Sequence, residues 1–292
     1  MATGLLTFTT FGHWDDSYFE NRQDVTIKVT KVSGNVYMLQ GRGGNIGAIV
    51  GTDGILIIDD DYKAVSEKLR AALKDLGSAT PRYIINTHWH GDHTEGNQTF
   101  GHESIIVAHT NVRKRLSQVN TIFGQAVQPY ESFAWPVITY DDSLTIHFDG
   151  DDIKAVHYPN GHTDGDSVIF FPKANVVHMG DDFFAGRFPF VDLDSGGSVQ
   201  GMINNVASIL GTIPADAKVI PGHGPLSTVE DLRKYHDTLV ETSRIVQNEM
   251  KKNKTLDEIK KAGLPDKYKD FGAGFIKTDA WIETVYKSYS KK

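Results

Sequence analysis

The chain has 292 residues, enough for two domains or one large one with a sizeable core, and its 39% hydrophobic and 23% charged residues are ordinary for a globular protein. A formal net charge of −7 argues against a non-specific nucleic-acid binder, which needs a basic face to displace counterions. The absence of cysteine excludes disulfides, thiolate metal sites and a cysteine nucleophile, and confines any metal site to His, Asp and Glu.

No apolar run approaches the ~20 residues that a membrane span needs. The start, Met1-Ala2-Thr3-Gly4-Leu5-Leu6, has no basic region followed by an apolar core, so no signal peptide is expected in the sequence as it stands. The short basic runs Arg113-Lys114-Arg115 and Lys251-Lys252 read as solvated helix faces.

In chain order, Val25–Val29 alternates like a strand and Val36–Leu39 is a short apolar run. Gln40 to Asn45 carries three glycines and reads as a loop. Ile46–Val50 and Ile55–Ile58 flank the hairpin signal Gly51-Thr52-Asp53-Gly54. Val65, Leu69, Ala72, Leu73 and Leu76 recur at helical spacing, with Gly77 as the cap. Tyr83–Ile85 is a buried strand and Ile105–Ala108 another, and Thr110 to about Ser117 is helical. Alternation of strand, helix and strand predicts an α/β layered fold. Residues 119–136 read as an irregular aromatic loop whose Phe123 and Trp135 are candidates for contact with a substrate. Strands follow at Leu144–Phe148, Ile153–His157, Val168–Phe171 and Val176–His178. A second long loop spans 183–198, then a helix at Val199–Leu210 and a strand at Val219-Ile220. A long helix from Thr228 to Met250 opens with a capping-box pair, Thr228 and Asp231, and two shorter helices near 255–262 and 279–289 end the chain. No composition break marks a linker, so one domain is expected over 1–292, with an extension at about 1–24 and C-terminal helices over about 228–292.

The chemical signal is His88-Trp89-His90-Gly91-Asp92-His93, directly after the strand Tyr83–Ile85. Two histidines separated by one residue at a strand end can aim both rings at one ion, and Asp92 and His93 then face a second. Three later segments put His162, Asp181 and His223 at strand-to-loop junctions beside glycine, where sites in layered α/β proteins collect. His13, His102, His109, His147, His157, His178 and His236 read as structural.

In this order these segments resemble the metallo-β-lactamase superfamily. The resemblance implies a four-layer αββα sandwich with two metal ions, zinc foremost and iron or manganese as alternatives. It assigns His88, His90 and His162 to the first ion, Asp92, His93 and His223 to the second, and Asp181 to a bridge. Asp59 matches the superfamily's first motif, an aspartate that supports the site from behind, and Thr87 and Thr163 are further supporting residues. Gly161-His162-Thr163-Asp164-Gly165-Asp166 and Pro221-Gly222-His223-Gly224 look like the true metallo-β-lactamases, whereas His93 and Asp181 look like glyoxalase II and the lactonases. Phe184 stands where the lactamases carry a lysine for the substrate carboxylate, and Arg187 is the candidate replacement.

The implied enzyme is a hydrolase that uses a metal-bridging hydroxide to open a cyclic amide or ester, with Asp92 orienting the hydroxide and carrying its proton. A β-lactam is the first candidate substrate. The alternatives are a lactone, a glutathione thioester and, from another class, persulfide oxidation by an iron dioxygenase. The expected partner is a small molecule, without nucleic acid or membrane. The loop style resembles secreted members, so a mature periplasmic or secreted form is expected in preference to a cytoplasmic protein.

Overall fold

The computed structural model describes residues 25–290. The expected extension at about 1–24, with its signal-peptide reading and His13, lies outside them. The strands in chain order begin with β1 (Lys28–Ser33), β2 (Val36–Gln40), β3 (Ile46–Gly51), β4 (Gly54–Ile58), β5 (Tyr83–Asn86) and β6 (Ile105–His109). They continue with β7 (Asn120–Ile122), β8 (Gln125–Val127), β9 (Ile138–Tyr140), β10 (Ser143–Phe148) and β11 (Asp151–His157). The last are β12 (Ser167–Phe171), β13 (Val176–His178), β14 (Lys218–Ile220) and β15 (Ser227–Thr228). The helices are α1 (Ser66–Leu76), α2 (Gly91–Thr94), α3 (Asn97–Phe100), α4 (Thr110–Leu116), α5 (Val199–Leu210), α6 (Val229–Lys251), α7 (Leu256–Ala262) and α8 (Thr278–Ser290).

One sheet runs β1-β2-β3-β4-β5-β6-β9 and the other β10-β11-β12-β13-β14-β15. Strand alternation then builds the layers, because successive side chains face opposite sides of a sheet. Leu56, Ile58, Ile85 and Val107 of the first sheet meet Ile169, Phe171, Val176 and Ile220 of the second in a shared inner core. Their neighbours Ile55, Ile57, Ile84 and Ile106 face outward onto Leu69 and Leu73 of α1. Val168, Val177 and Val219 face the other way, onto Met202 and Val206 of α5, Leu232 and Leu239 of α6, and Trp281 and Val285 of α8. The result is the four-layer αββα sandwich, each buried side chain of this size contributing about 1.5–3 kcal/mol.

Three expectations change. The strand expected from Val25 begins at Lys28, because its partner β2 ends at Gln40 and Lys28 pairs with that last residue. The loop expected over 119–136 contains the hairpin β7–β8, with Ile122 paired to Gln125 across a two-residue turn. Arg113 and Arg115 are not simply solvated: Arg113 lies over the Trp135 ring, and Arg115 grips Asp164 with two hydrogen bonds of 2.7 Å. The capping box of α6 forms as expected, Thr228 and Asp231 bonding each other's backbone N–H.

Candidate metal centre

β5, β13 and β14 each end just before a polar turn, and these turns meet at one edge of the sandwich. After β5 the chain bends through Thr87, His88 and Trp89 before the extended His90 (φ −65°, ψ 149°), and His88 and His90 face one point. α2 then turns Asp92 and His93 towards a neighbouring point. His88, His90, His162 and Asp181 form one cluster of facing donor atoms and Asp92, His93 and His223 a second, with the donor atoms of each cluster within 4.8 Å of one another. Asp181 joins the two. Its Oδ2 lies 3.4 Å from His162 Nε2, and its Oδ1 lies 3.1 Å from His93 Nε2 and 3.4 Å from His223 Nε2. The glycine loop after β2 packs against this point. A Cβ on Gly44 would overlap the His93 ring, so only glycine allows that approach.

The outer hydrogen bonds set which ring nitrogens carry protons. His90 Nε2 is 3.0 Å from Asp192 Oδ2, His162 Nδ1 is 2.8 Å from the Phe190 carbonyl, and His93 Nδ1 is 2.7 Å from Asp59 Oδ2. Carboxylate and carbonyl oxygens only accept, so each of these outer nitrogens donates. Thr87 gives its hydroxyl proton to Asp59 Oδ2 at 2.8 Å, which leaves its oxygen to accept from His88 Nδ1 at 3.0 Å. A neutral imidazole has one N–H, so in the neutral rings all four inner nitrogens present lone pairs. Two of these, His90 Nδ1 and His162 Nε2, face each other at 2.8 Å, and buried His88 Nε2 makes no hydrogen bond. Lone pairs crowded around buried carboxylate oxygen repel unless a cation lies among them. The residues therefore fit metal ions, and nitrogen and oxygen donors without sulfur suit zinc, iron or manganese.

Charge differs across the centre. Burial pushes His162 down to about 4 and His88 well below the ordinary histidine range. Burial also acts on His223, but Asp181 and Asp92 outweigh it and raise His223 to about 9. In the same way Asp181, Asp92 and Asp59 overcome burial at His93 and raise it. Asp92 is held at about 2, where His93 and His223 overcome the opposing effect of burial.

Each supporting residue has a definite place. Buried Asp59 accepts the Thr87 N–H at 2.7 Å as well as the His93 ring, so it orients the second cluster directly and the first through Thr87. Thr163 touches no donor; its hydroxyl bonds Asp166 and shapes the turn that carries His162. Phe123, at the tip of the β7–β8 turn, lies over Phe190, whose ring is 5.7 Å from His90 and 5.8 Å from His162. Trp135 is not brought to the centre: its indole N–H donates to the Tyr130 carbonyl at 2.9 Å and its ring packs against the Trp89–Val112 cluster. Arg187 is half-buried with its stem beside Gly274, and makes no ion pair with the donors. None of the other described histidines joins either cluster. Sequence reading missed Asp192, which lies 102 residues from His90 in the chain. An Asp-rich loop was visible, but nothing in it singled out this carboxylate.

Comparison with known proteins agrees with this geometry. The family model described as the metallo-beta-lactamase superfamily matches residues 30–242. An uncharacterised protein of Mycobacterium bovis is 26% identical over 207 residues, covering 66% of this chain and 90% of the relative. A Bacillus subtilis protein named a probable metallo-hydrolase is 27% identical over 194 residues, covering 63% and 90%. Among solved structures, a sec-alkylsulfatase from Pseudomonas sp. superposes with a TM-score of 0.67 at 15% identity, over 94% of this chain and 55% of that one. This chain thus spans about half the length of the alkylsulfatase structures. A metallo-beta-lactamase from Pontibacter korlensis superposes with a TM-score of 0.60 at 16% identity, over 73% of this chain and 99% of that one. At these identities the superpositions speak for the fold, and the matched family model, covering more than two thirds of the sequence, makes this chain a member of the metallo-β-lactamase superfamily.

Proposed function

We propose that this protein is a zinc-dependent hydrolase that opens a cyclic ester or amide at a two-metal centre. The observation that carries the reading is the set of inner histidine lone pairs, fixed by outer hydrogen bonds and closed by the shared carboxylate of Asp181. His88, His90 and His162 would hold one ion and Asp92, His93 and His223 the other, with Asp181 between them. Two divalent ions held there would bring four positive charges against the two negative charges of Asp92 and Asp181, a surplus that would lower the pKa of water towards ~7 and polarise a carbonyl oxygen.

The chain's own residues do the rest. The side chains of Asp92 and His223 are each 21% exposed, so this side of the centre opens to substrate. Asp92 Oδ2 lies 3.2 Å from His223 Nε2, and its carboxylate at that opening can orient a water and take its proton. Buried Asp59 and Asp192 keep the rings from turning, so the donors need not reorganise during reaction. Phe184, stacked on His223 with ring centres 5.1 Å apart, leaves no cation at that position for a substrate carboxylate. This favours a lactone over a β-lactam.

The test combines metal analysis with hydrolysis by zinc-loaded protein of a chromogenic cephalosporin, an acyl-homoserine lactone and lactoylglutathione. Two zinc ions per chain and turnover of the lactone are expected. About one iron per chain with oxygen consumption would overturn the reading in favour of a dioxygenase.

A further inference from the structure

The β7–β8 turn is built from Phe123 and Gly124, with φ of +52° and +77°. A two-residue hairpin turn with both φ positive calls for Asn-Gly or Asp-Gly. A bulky aromatic residue enters this backbone region at a cost, and such an outlier persists where its surroundings hold it for another reason. The surroundings here are aromatic. The Phe123 ring centre is 4.6 Å from Phe190 and 6.1 Å from Phe275, so three distant segments bring their rings together. Phe190 abuts His90 and His162, while Phe123 and Phe275 remain 50% and 43% exposed, large values for phenylalanine. The wall therefore runs from the buried histidines outward to solvent.

The wall segments themselves carry no charge. The hairpin tip Thr121–Gln125 and residues 271–276 carry no charged side chain. Arg115 is tied to Asp164, Arg113 to Trp135 and the Pro136 carbonyl, and Arg42 lies over the Tyr62 ring. The stem of Arg187 runs along Gly274, and Lys277 donates to the Ala273 carbonyl.

We propose that Phe123, Phe190 and Phe275 form the specificity wall of the centre, which takes substrates bearing a neutral alkyl or aryl substituent beside the scissile carbonyl. The inference rests on the metal-centre reading above and names the substrate class within it. Apolar surface removed from water supplies the selectivity, and the strained Phe123 turn sets where that surface stands.

Phe123→Asn tests this cleanly, because it restores the Asn-Gly turn while deleting the ring, so the hairpin is kept. Equilibrium binding of phenylacetohydroxamate and acetohydroxamate is measured on zinc-loaded protein, with metal content checked. The phenyl compound is expected to bind the parent about tenfold more tightly, a modest figure for burying part of a phenyl ring. Phe123→Asn should bring the two within about twofold, with acetohydroxamate unchanged; this is the same ring surface read by difference. In parallel, phenyl-substituted γ-butyrolactone should be preferred over the unsubstituted and carboxyl-substituted lactones, and the preference should fall in the variant. Equal affinities in the parent, an unaltered ratio in the variant, or equal loss of both hydroxamates would overturn the wall while leaving the metal centre standing. Failure of both hydroxamates to bind the parent protein would instead overturn the metal-centre reading and the wall with it.

Discussion

The two donor clusters are built differently. His88, His90 and His162 are 1%, 5% and 0% exposed, and each outer ring nitrogen meets a protein oxygen. In the second cluster only His93 is sealed, while the Asp92 and His223 side chains are 21% exposed and carry the charge. The first cluster's rings are dry and held from three directions, with His88 and His162 pushed by burial towards the neutral form. The second is charged and open. A centre of this kind would separate holding from reacting: the donors of one cluster are fixed before substrate arrives, and those of the other stay accessible to it.

The comparison can be broken at its hinge. Asp181→Ala removes the one donor that both clusters share, and should cost more kcat/KM than the ~10–100-fold expected of an outer partner. It should also lower the bound metal at both positions, by metal analysis after dialysis. Retention of a full complement of metal would show that Asp181 does not join the clusters.

A smaller effect separates the clusters. Asp192→Asn leaves His90 without its carboxylate and should weaken the first ion by ~10–100-fold with little change at the second. Asp59→Asn should weaken both, since Asp59 holds His93 directly and His88 through Thr87. Two-phase metal titrations read the difference, and identical profiles for the two variants would contradict the division.

The smallest effect is pH. With His93 raised and His223 raised to about 9, both rings of the metal-free second cluster hold protons at neutral pH that a metal ion must displace. Its metal affinity should therefore rise at least about tenfold per unit from pH 6.5 towards 9. The first cluster, with His162 near 4, should bind with little pH dependence over that range. The same shift bears on stability. A histidine raised from 6.5 to about 9 stabilises the metal-free fold fully below about 6.5, and the contribution is lost as pH rises through 9. Thermal melts of metal-free protein should show the midpoint falling between these values, and metal-loaded protein should not. Equal pH slopes for the two ions would remove the distinction.

Much of this was legible in the chain. Donor types, their order and their places at strand ends follow from His88 to His93 and from the turns carrying His162, Asp181 and His223, because a strand ending in a polar, glycine-rich turn is a local pattern. The layers were legible too, since the unbroken apolar runs Ile55–Ile58 and Ile84-Ile85 commit both faces of a strand to burial. The hairpin at Asn120–Val127 was not, because three-residue strands leave no periodicity and Phe123 is the wrong residue for the turn it makes. The place of Trp135 was not legible for a related reason: an aromatic residue in a loop looks alike whether it faces a substrate or the loop's own underside.

By itself, then, the sequence showed which side chains could bind metal and put each at a strand end, since both facts rest on residues close in the chain. Only the tertiary structure decided which nitrogen of each ring faces inward, through partners as remote as Asp192 from His90 and Phe190 from His162. It also decided which phenylalanines stand over the centre. Those pairings are made by folding across long stretches of chain, where no spacing rule connects one residue to the other.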